Sequence, residues 1–364
     1  MKQLWVIAVL LGGLWGQDPV QLNNLGVQAH ARGEFARAVE LLEQSVRLEE
    51  GNSGPDHTAL AAKLSNLAES EIALGRFADA ESHLDRSVRI AIRSWGESDP
   101  RTAKRFSIQG HLFSRQGRYQ ESERCFRRAL AVREPHPGEQ NADLVTTLNN
   151  LAECLRLQRQ FGRALEVSQR ALKAGEAGMG NFDGRLASVL STLGSIRQEL
   201  HRWDEAESAL ERARVLYENT LGPRHPDVGV MQNNLGVLAM ARGDLSAGER
   251  WLRKSLETTT LVYGPDHPEL AKVMRNLGEL LLEQDRRTEA ETLLRRALAI
   301  CGNTLPNHHP QSIQTLSVYL RLLKQSGRRS EAAKVEKRLT AALAARHQDN
   351  PAEAMRVDYR DLRR

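Results

Sequence analysis

The stretch YGPDHPELA, Tyr263 to Ala271, recurs as LGPRHPDVG at Leu221 to Gly229 and, more loosely, as LPNHHPQSI at Leu305 to Ile313. Each copy begins 42 residues after the one before. A catalytic motif normally occurs once, because one set of reacting groups suffices, whereas a phrase recurring at fixed spacing marks a structural unit being stacked. The phrase is therefore expected to be a joint between units. Its glycine and first proline close one helix, and Pro268 opens the next, where a fixed φ and a missing N–H are tolerated. His57, His225, His267 and His309 then fall at helix starts as turn residues, with no metal or catalytic role expected.

Laid out at this period, the chain gives eight rows starting near Pro19, Ala61, Ala103, Val145, Ala187, Gly229, Ala271 and Ile313, with no insertion or deletion. One column is small at Gly26, Ala68, Gly110, Ala152, Gly194, Gly236 and Gly278 and fails only at Leu320. A second is small in every row: Ala38, Ala80, Ser122, Ala164, Ala206, Gly248, Ala290 and Ala332. Small side chains at both sites let two helices of one row approach closely. Between them lies a bulky column, Phe35, Phe77, Tyr119, Phe161, Trp203 and Leu245, decaying to Arg287 and Arg329. Two residues earlier, Gly33, Gly75, Gly117, Gly243 and Gly327 can end a helix in the left-handed conformation, while Arg159 and His201 stand where two rows lack that glycine. Each row reads as helix, tight turn, helix. The second helix shows apolar spacing of three and four, as in Ala290, Leu293, Leu294 and Ala297.

These columns resemble the tetratricopeptide repeat. The 42-residue period, with "LNNLAE" at Leu148 to Glu153, the second-helix pattern ending in RALAI and the GPDHP joint, is similar to the variant found in kinesin light chains and in many bacterial proteins. The resemblance implies an all-α, right-handed superhelical solenoid of about eight helix-turn-helix repeats over residues 17–345, followed by a tail or capping helix at 346–364. Row three departs from the pattern at Phe106 to Gln109, and row eight at Tyr319 and Leu320; a failing last row suits a terminal cap.

Composition narrows the function classes. Lys plus Arg number 51 against 46 Asp plus Glu, a formal charge of only +5 with both signs interspersed, and aromatics are 5%. That is not a nucleic-acid footprint. At the N-terminus one Lys precedes an apolar run from Leu4 to Trp15, too short for a spanning helix, which needs roughly 20 residues. Residues 1–16 are expected to be a secretory signal cleaved after Gly16, although Leu14 departs from the small-x-small rule, and export to the periplasm or exterior follows. Cys125, Cys154 and Cys301 lack CxxC spacing, so neither a disulfide framework nor a zinc ribbon organises the fold. A single Cys125–Cys154 bridge is compatible with the row order, but small buried thiols are the simpler expectation.

No convergent catalytic set is legible. Gly248 to Ser255 ends in Lys-Ser like a phosphate loop but has Arg253 for the second glycine, and His225-Pro226-Asp227 is one edition of the joint. The glutamates and arginines of the second helices, such as Glu289, Glu291, Arg295 and Arg296, are expected to be solvated faces with i,i+4 pairing. A non-enzymatic chain without cofactor or metal is expected, acting as an interaction scaffold; the alternative is an accessory or regulatory subunit of an exported enzyme complex. The resemblance implies that first helices line a concave face on which asparagines hold an extended peptide. The matching residues are Asn24, Asn66, Asn150, Asn234 and Asn276, with Asn149, Asn233, Arg275, Arg115 and Arg156 beside them. An amide suits this task because it donates and accepts at once. The competing expectation is that these asparagines tie neighbouring helices together. The partner is expected to be a protein or extended peptide, with no nucleic acid and no membrane span.

Overall fold

The computed structural model describes residues 18–134, 141–179 and 183–349. Residues 1–16, and with them the expected signal segment, lie outside the described residues, as does the tail beyond Asp349. Among the described residues there are sixteen α-helices and no strand. The rows are the pairs α1 (Pro19–Ala31) and α2 (Phe35–Ser53), α3 (Thr58–Ala73) and α4 (Phe77–Trp95), α5 (Pro100–Arg115) and α6 (Tyr119–Arg133), α7 (Asn141–Leu157) and α8 (Phe161–Met179). They continue as α9 (Arg185–Glu199) and α10 (Trp203–Leu221), α11 (Pro226–Arg242) and α12 (Leu245–Tyr263), α13 (Pro268–Glu283) and α14 (Arg287–Thr304), α15 (Pro310–Gln325) and α16 (Arg329–Asp349). The last helix thus runs past residue 345, and the bulky column supplies the first residue of every second helix.

Local chemistry sets these boundaries. Gly33, Gly75, Gly117, Gly243 and Gly327 have φ between 69° and 90°, as a left-handed stop requires. Arg159 (φ 61°), His201 (φ 58°) and Asp285 (φ 61°) adopt the same conformation without being glycine. The turn is therefore imposed by the packing of the two helices it joins, at a local cost of about 1 to 2 kcal/mol for a side-chain-bearing residue. At the joint, Gly264 (φ 80°) donates its N–H to the Thr260 carbonyl and ends α12. His267 then caps α13, its Nδ1 accepting from the Glu269 N–H at 3.2 Å. His57, His225 and His309 do the same at 3.4, 3.3 and 3.3 Å. Asp99 and Asp183 replace them in two other rows and accept at 2.8 and 2.9 Å, and Asp18, three positions further along its row, caps α1 at 2.9 Å.

The recurring histidine is an N-cap interchangeable with aspartate. His309→Ala should therefore lower stability by about 1 kcal/mol, while His309→Asp keeps it, read as chemical denaturation midpoints. Equal loss in both variants would contradict the capping role.

The small columns are the crossings within each row. A Cβ built on Gly26, Gly194 or Gly236 would stand 2.5, 2.7 or 2.6 Å from Cγ of Leu42, Leu210 or Leu252 in the second helix of its row. On Gly110 it would meet the Phe126 ring at 2.7 Å. A further tie is hidden in the apolar stripe. The hydroxyls of Ser45, Ser87 and Ser255 donate across the crossing to the carbonyls of Pro19, Ala61 and Gly229, the first position of their rows. Serine is used there because a small donor can satisfy a buried carbonyl without widening the contact.

The chain divides into two compact units, Met1–Cys154 and Leu155–Arg364. In the first, Val39, Leu42 and Val46 of α2 bury Leu60, Leu64 and Leu67 of the next row, and Leu84 meets Ile108 and Leu112. In the second, Leu210 packs with Met231 and Leu235, and Leu252 with Leu277 and Leu281. Cys125 and Cys301 are free and buried, and the buried Cys154 thiol donates to the Tyr119 carbonyl at 3.3 Å. Burial pushes the Cys125 thiol up to about 11.

Rows are also clamped to one another from outside. Arg118, Arg286 and Arg328, each just before a second helix, reach back to Glu81, Glu249 and Glu291 of the preceding row, all at distances from 2.8 Å. Each also pairs with a carboxylate three residues on, Glu121, Glu289 or Glu331. Arg328 holds the Glu291 carboxyl below its ordinary range. Expected i,i+4 pairs occur as well, Arg253 with Glu249 and Arg295 with Glu291. One acidic side chain thus serves its own helix and the next row.

A related cluster is buried. Glu71 is fully buried in α3, accepts from His83 at 2.8 Å, and lies 3.8 Å from Arg76. The hydrogen bond to Glu71 raises the His83 pKa, with Asp79 and Glu43 adding to the effect. A raised folded value means that the pair stabilises fully below the ordinary imidazole value of about 6.5 and fades as pH climbs through the higher one. His83→Gln should therefore depress the melting temperature near about pH 5.5 and do so much less near about pH 8.5. A pH-independent difference would contradict this.

Candidate binding face

Consecutive first helices pack on each other as well as on their partners: α1 on α3 and α3 on α5 in the first unit, α11 on α13 and α13 on α15 in the second. Side chains at equivalent helical positions therefore form one face in each unit. Titratable groups on it are surrounded by protein yet reach water. Burial pushes the Glu69 carboxyl up, against the opposing charges of Lys104 and His30. His111 is exposed but held below the ordinary imidazole range by desolvation and by Arg115. In the second unit, desolvation lowers the half-buried Arg275 guanidinium. These shifts are those of groups partly desolvated by the protein around them.

The asparagines divide into two kinds. Asn66 Nδ2 donates to Asn23 Oδ1 at 3.0 Å, tying α3 to α1. Asn276 Nδ2 donates to Asn233 Oδ1 at 2.7 Å, tying α13 to α11, and its own oxygen accepts from Arg275 at 2.8 Å. Arg275 extends to Gln314 on α15. Asn233 in turn donates to Asn234 Oδ1 at 3.3 Å. The amide of Asn276 is thus engaged at both ends and buried. Asn24 is exposed, Asn149, Asn150 and Asn234 are half-buried, and Asn149 Oδ1 is a buried acceptor without a hydrogen-bond partner. Arg115 is exposed, and Arg156 is half-buried with Glu199 at 3.7 Å.

First helices of the second unit carry charges of both signs. Glu279 pairs with Arg321 at 2.8 Å and Lys324 with Glu336 at 3.0 Å. His30 Nδ1 lies 3.0 Å from Ser70 Oγ. Among the described residues no group of three His, Cys, Asp or Glu side chains could hold a metal ion, and no helix is long and apolar enough to cross a membrane. The face offers amides, hydroxyls and charges of both signs, which suit backbone and side chains of a polypeptide.

An array of helix pairs with small-residue crossings and a polar first-helix face defines a helical repeat protein of the scaffold class. The tetratricopeptide repeat profile matches residues 20–93, 59–134, 102–177, 185–244 and 227–303, and the chain belongs to that family. Comparison with curated proteins gives no match. Among solved structures the chain is similar to BtubC (BKLC) from P. vanneervenii, 20% identical over 62% of this chain and 90% of that one, with a TM-score of 0.53. It is also similar to the apo form of RapI, 14% identical over 78% of this chain and 97% of that one, with a TM-score of 0.60. A putative kinesin light chain with near-identical repeats from Podosopora anserina gives 20% identity, coverage of 57% and 98%, and a TM-score of 0.47. For the first two, at such identities, the likeness is one of fold.

Proposed function

We infer that this chain is an exported, non-catalytic scaffold that holds another polypeptide against the faces that the first helices form in its two units. The observation that supports this reading is the packing of consecutive first helices on one another, which gathers polar side chains, Asn66, Glu69 and His111 in the first unit and Asn234, Arg275 and Glu279 in the second, on one face of each unit. Binding contacts are assigned to Asn24, Asn150, Asn234 and Arg115, while Asn66 and Asn276 hold the rows in register. Export rests on the apolar run ending before Gly16, and the secreted chain should begin near Gln17 by intact mass.

The partner is to be isolated by cross-linking and pull-down from the native source. A photo-cross-linking residue at His111 should then capture it, and the same residue at Arg127, exposed on α6, should not. Capture from Arg127 alone would overturn the assignment of the face. A chain retaining Met1 to Gly16 would overturn export without touching the face.

A further inference from the structure

Repeat arrays stay soluble when an end row turns a polar side outward, because it has no neighbour to bury against. The last row does this. In the second-helix column of Leu42, Leu84, Phe126, Leu210 and Leu294, α16 places Glu336, whose side chain is 56% exposed and paired with Lys324. Thr340 stands in the column of Val46 and Val88.

The first row does not. The leucine at the seventh position of a first helix packs against the preceding row, as Leu67 does with Val39 and Leu42, and Leu277 with Leu252. Leu67, Leu235 and Leu277 are 1%, 2% and 0% exposed, whereas Leu25, the same residue of row one, is 41% exposed. Helical spacing sets Gln21 and Gln28 beside it, with Asn24 and Val20 continuing the surface, and all four are exposed. From Pro19 to Ala31 the helix has no Asp, Glu, Lys or Arg, in a chain of which 27% is charged.

We propose that this edge of α1 docks on the same edge of a second copy, forming a two-fold dimer through Leu25, Gln21 and Gln28. An isologous contact sets a surface against itself, so a charged edge would repel its copy and an uncharged one does not. Amide side chains both donate and accept, so each can pair with its own equivalent. A head-to-tail stack is disfavoured because it would bury Leu25 against Lys337 and the Glu336–Lys324 pair, taking charges out of water against an apolar side chain.

Sedimentation of the full chain, with its N-terminus read by intact mass, tests this over roughly 1 to 100 μM. The wild type should reach twice the monomer mass in this range, and Leu25→Glu should weaken association at least about tenfold. Gln21→Lys, which alters no buried contact, should weaken it too and serves if Leu25→Glu melts early. A wild type that stays monomeric, a mass that climbs past two copies, or a Leu25→Glu variant that dimerises as well would overturn the dimer. So would a monomer in which Leu25→Cys resists maleimide, since residues 1–17 would then cover the edge.

Discussion

Replacing Gly236 with valine should destabilise the second unit by about 3 kcal/mol or more, the upper range for overpacking a tight contact. The first added carbon alone would lie 2.6 Å from Leu252 Cγ and 3.3 Å from the Gly248 carbonyl oxygen, and Leu252 is fully buried. Neither can withdraw without opening the row, because Leu252 also packs on Leu277 and Leu281 of the next one. A single methyl is survivable in this column, since rows two and four carry Ala68 and Ala152 there. Gly51→Ala is the matched control. It lies in α2 with open space around a built Cβ, so it should gain up to about 1 kcal/mol from a stiffer unfolded chain. Equal effects in the two variants would show that the small column is not a close crossing.

Phe126→Ala should cost about 3 to 5 kcal/mol, the usual price of emptying a buried aromatic site. The ring is 1% exposed and rests on Gly110, at the centre of the third row. In a stack where each row touches only its neighbours, such a loss is local. Hydrogen exchange should therefore accelerate in α5, α6 and the adjoining rows of the first unit, while α13 to α16 keep their protection. Uniform acceleration along the chain would contradict nearest-neighbour stability.

The fold was legible in the sequence because its decisive features are local and repeated. Gly26, Ala38 and the stop glycines each act within one row, the proline-bearing joints link one row to the next over a few residues, and eight copies average out exceptions such as Arg159. What sequence did not reveal depends on neighbours one row away. The pairing of Arg286 with Glu249 spans 37 residues and looks, in sequence, like two members of solvated faces. Asn66 and Asn276 look identical to Asn150 and Asn234 in their column, and only the stacked helices show that Asn23 and Asn233 meet them. Glu71 was hidden differently. It occupies, fully buried, a column that holds Phe113, Leu155 and Leu281 in other rows and a charged residue elsewhere only at Arg197, and its partner His83 lies on the other helix of its row.

That division of the asparagines exposes the central claim to one paired measurement: partner affinity and melting temperature on Asn150→Ala, Asn234→Ala, Asn66→Ala and Asn276→Ala. A hydrogen bond to a bound backbone contributes about 0.5 to 1.5 kcal/mol, so Asn150→Ala and Asn234→Ala should each weaken binding roughly two- to tenfold, Asn150→Ala at unchanged melting temperature and Asn234→Ala with a small drop, because it also removes the acceptor of Asn233. Asn276→Ala strands the Asn233 and Arg275 groups that it satisfies, and Asn66→Ala removes the tie to Asn23, so these should lower stability by about 1 to 3 kcal/mol instead. Unchanged affinity in both Asn150→Ala and Asn234→Ala, with a lowered melting temperature in each, would contradict a binding face built on the first helices.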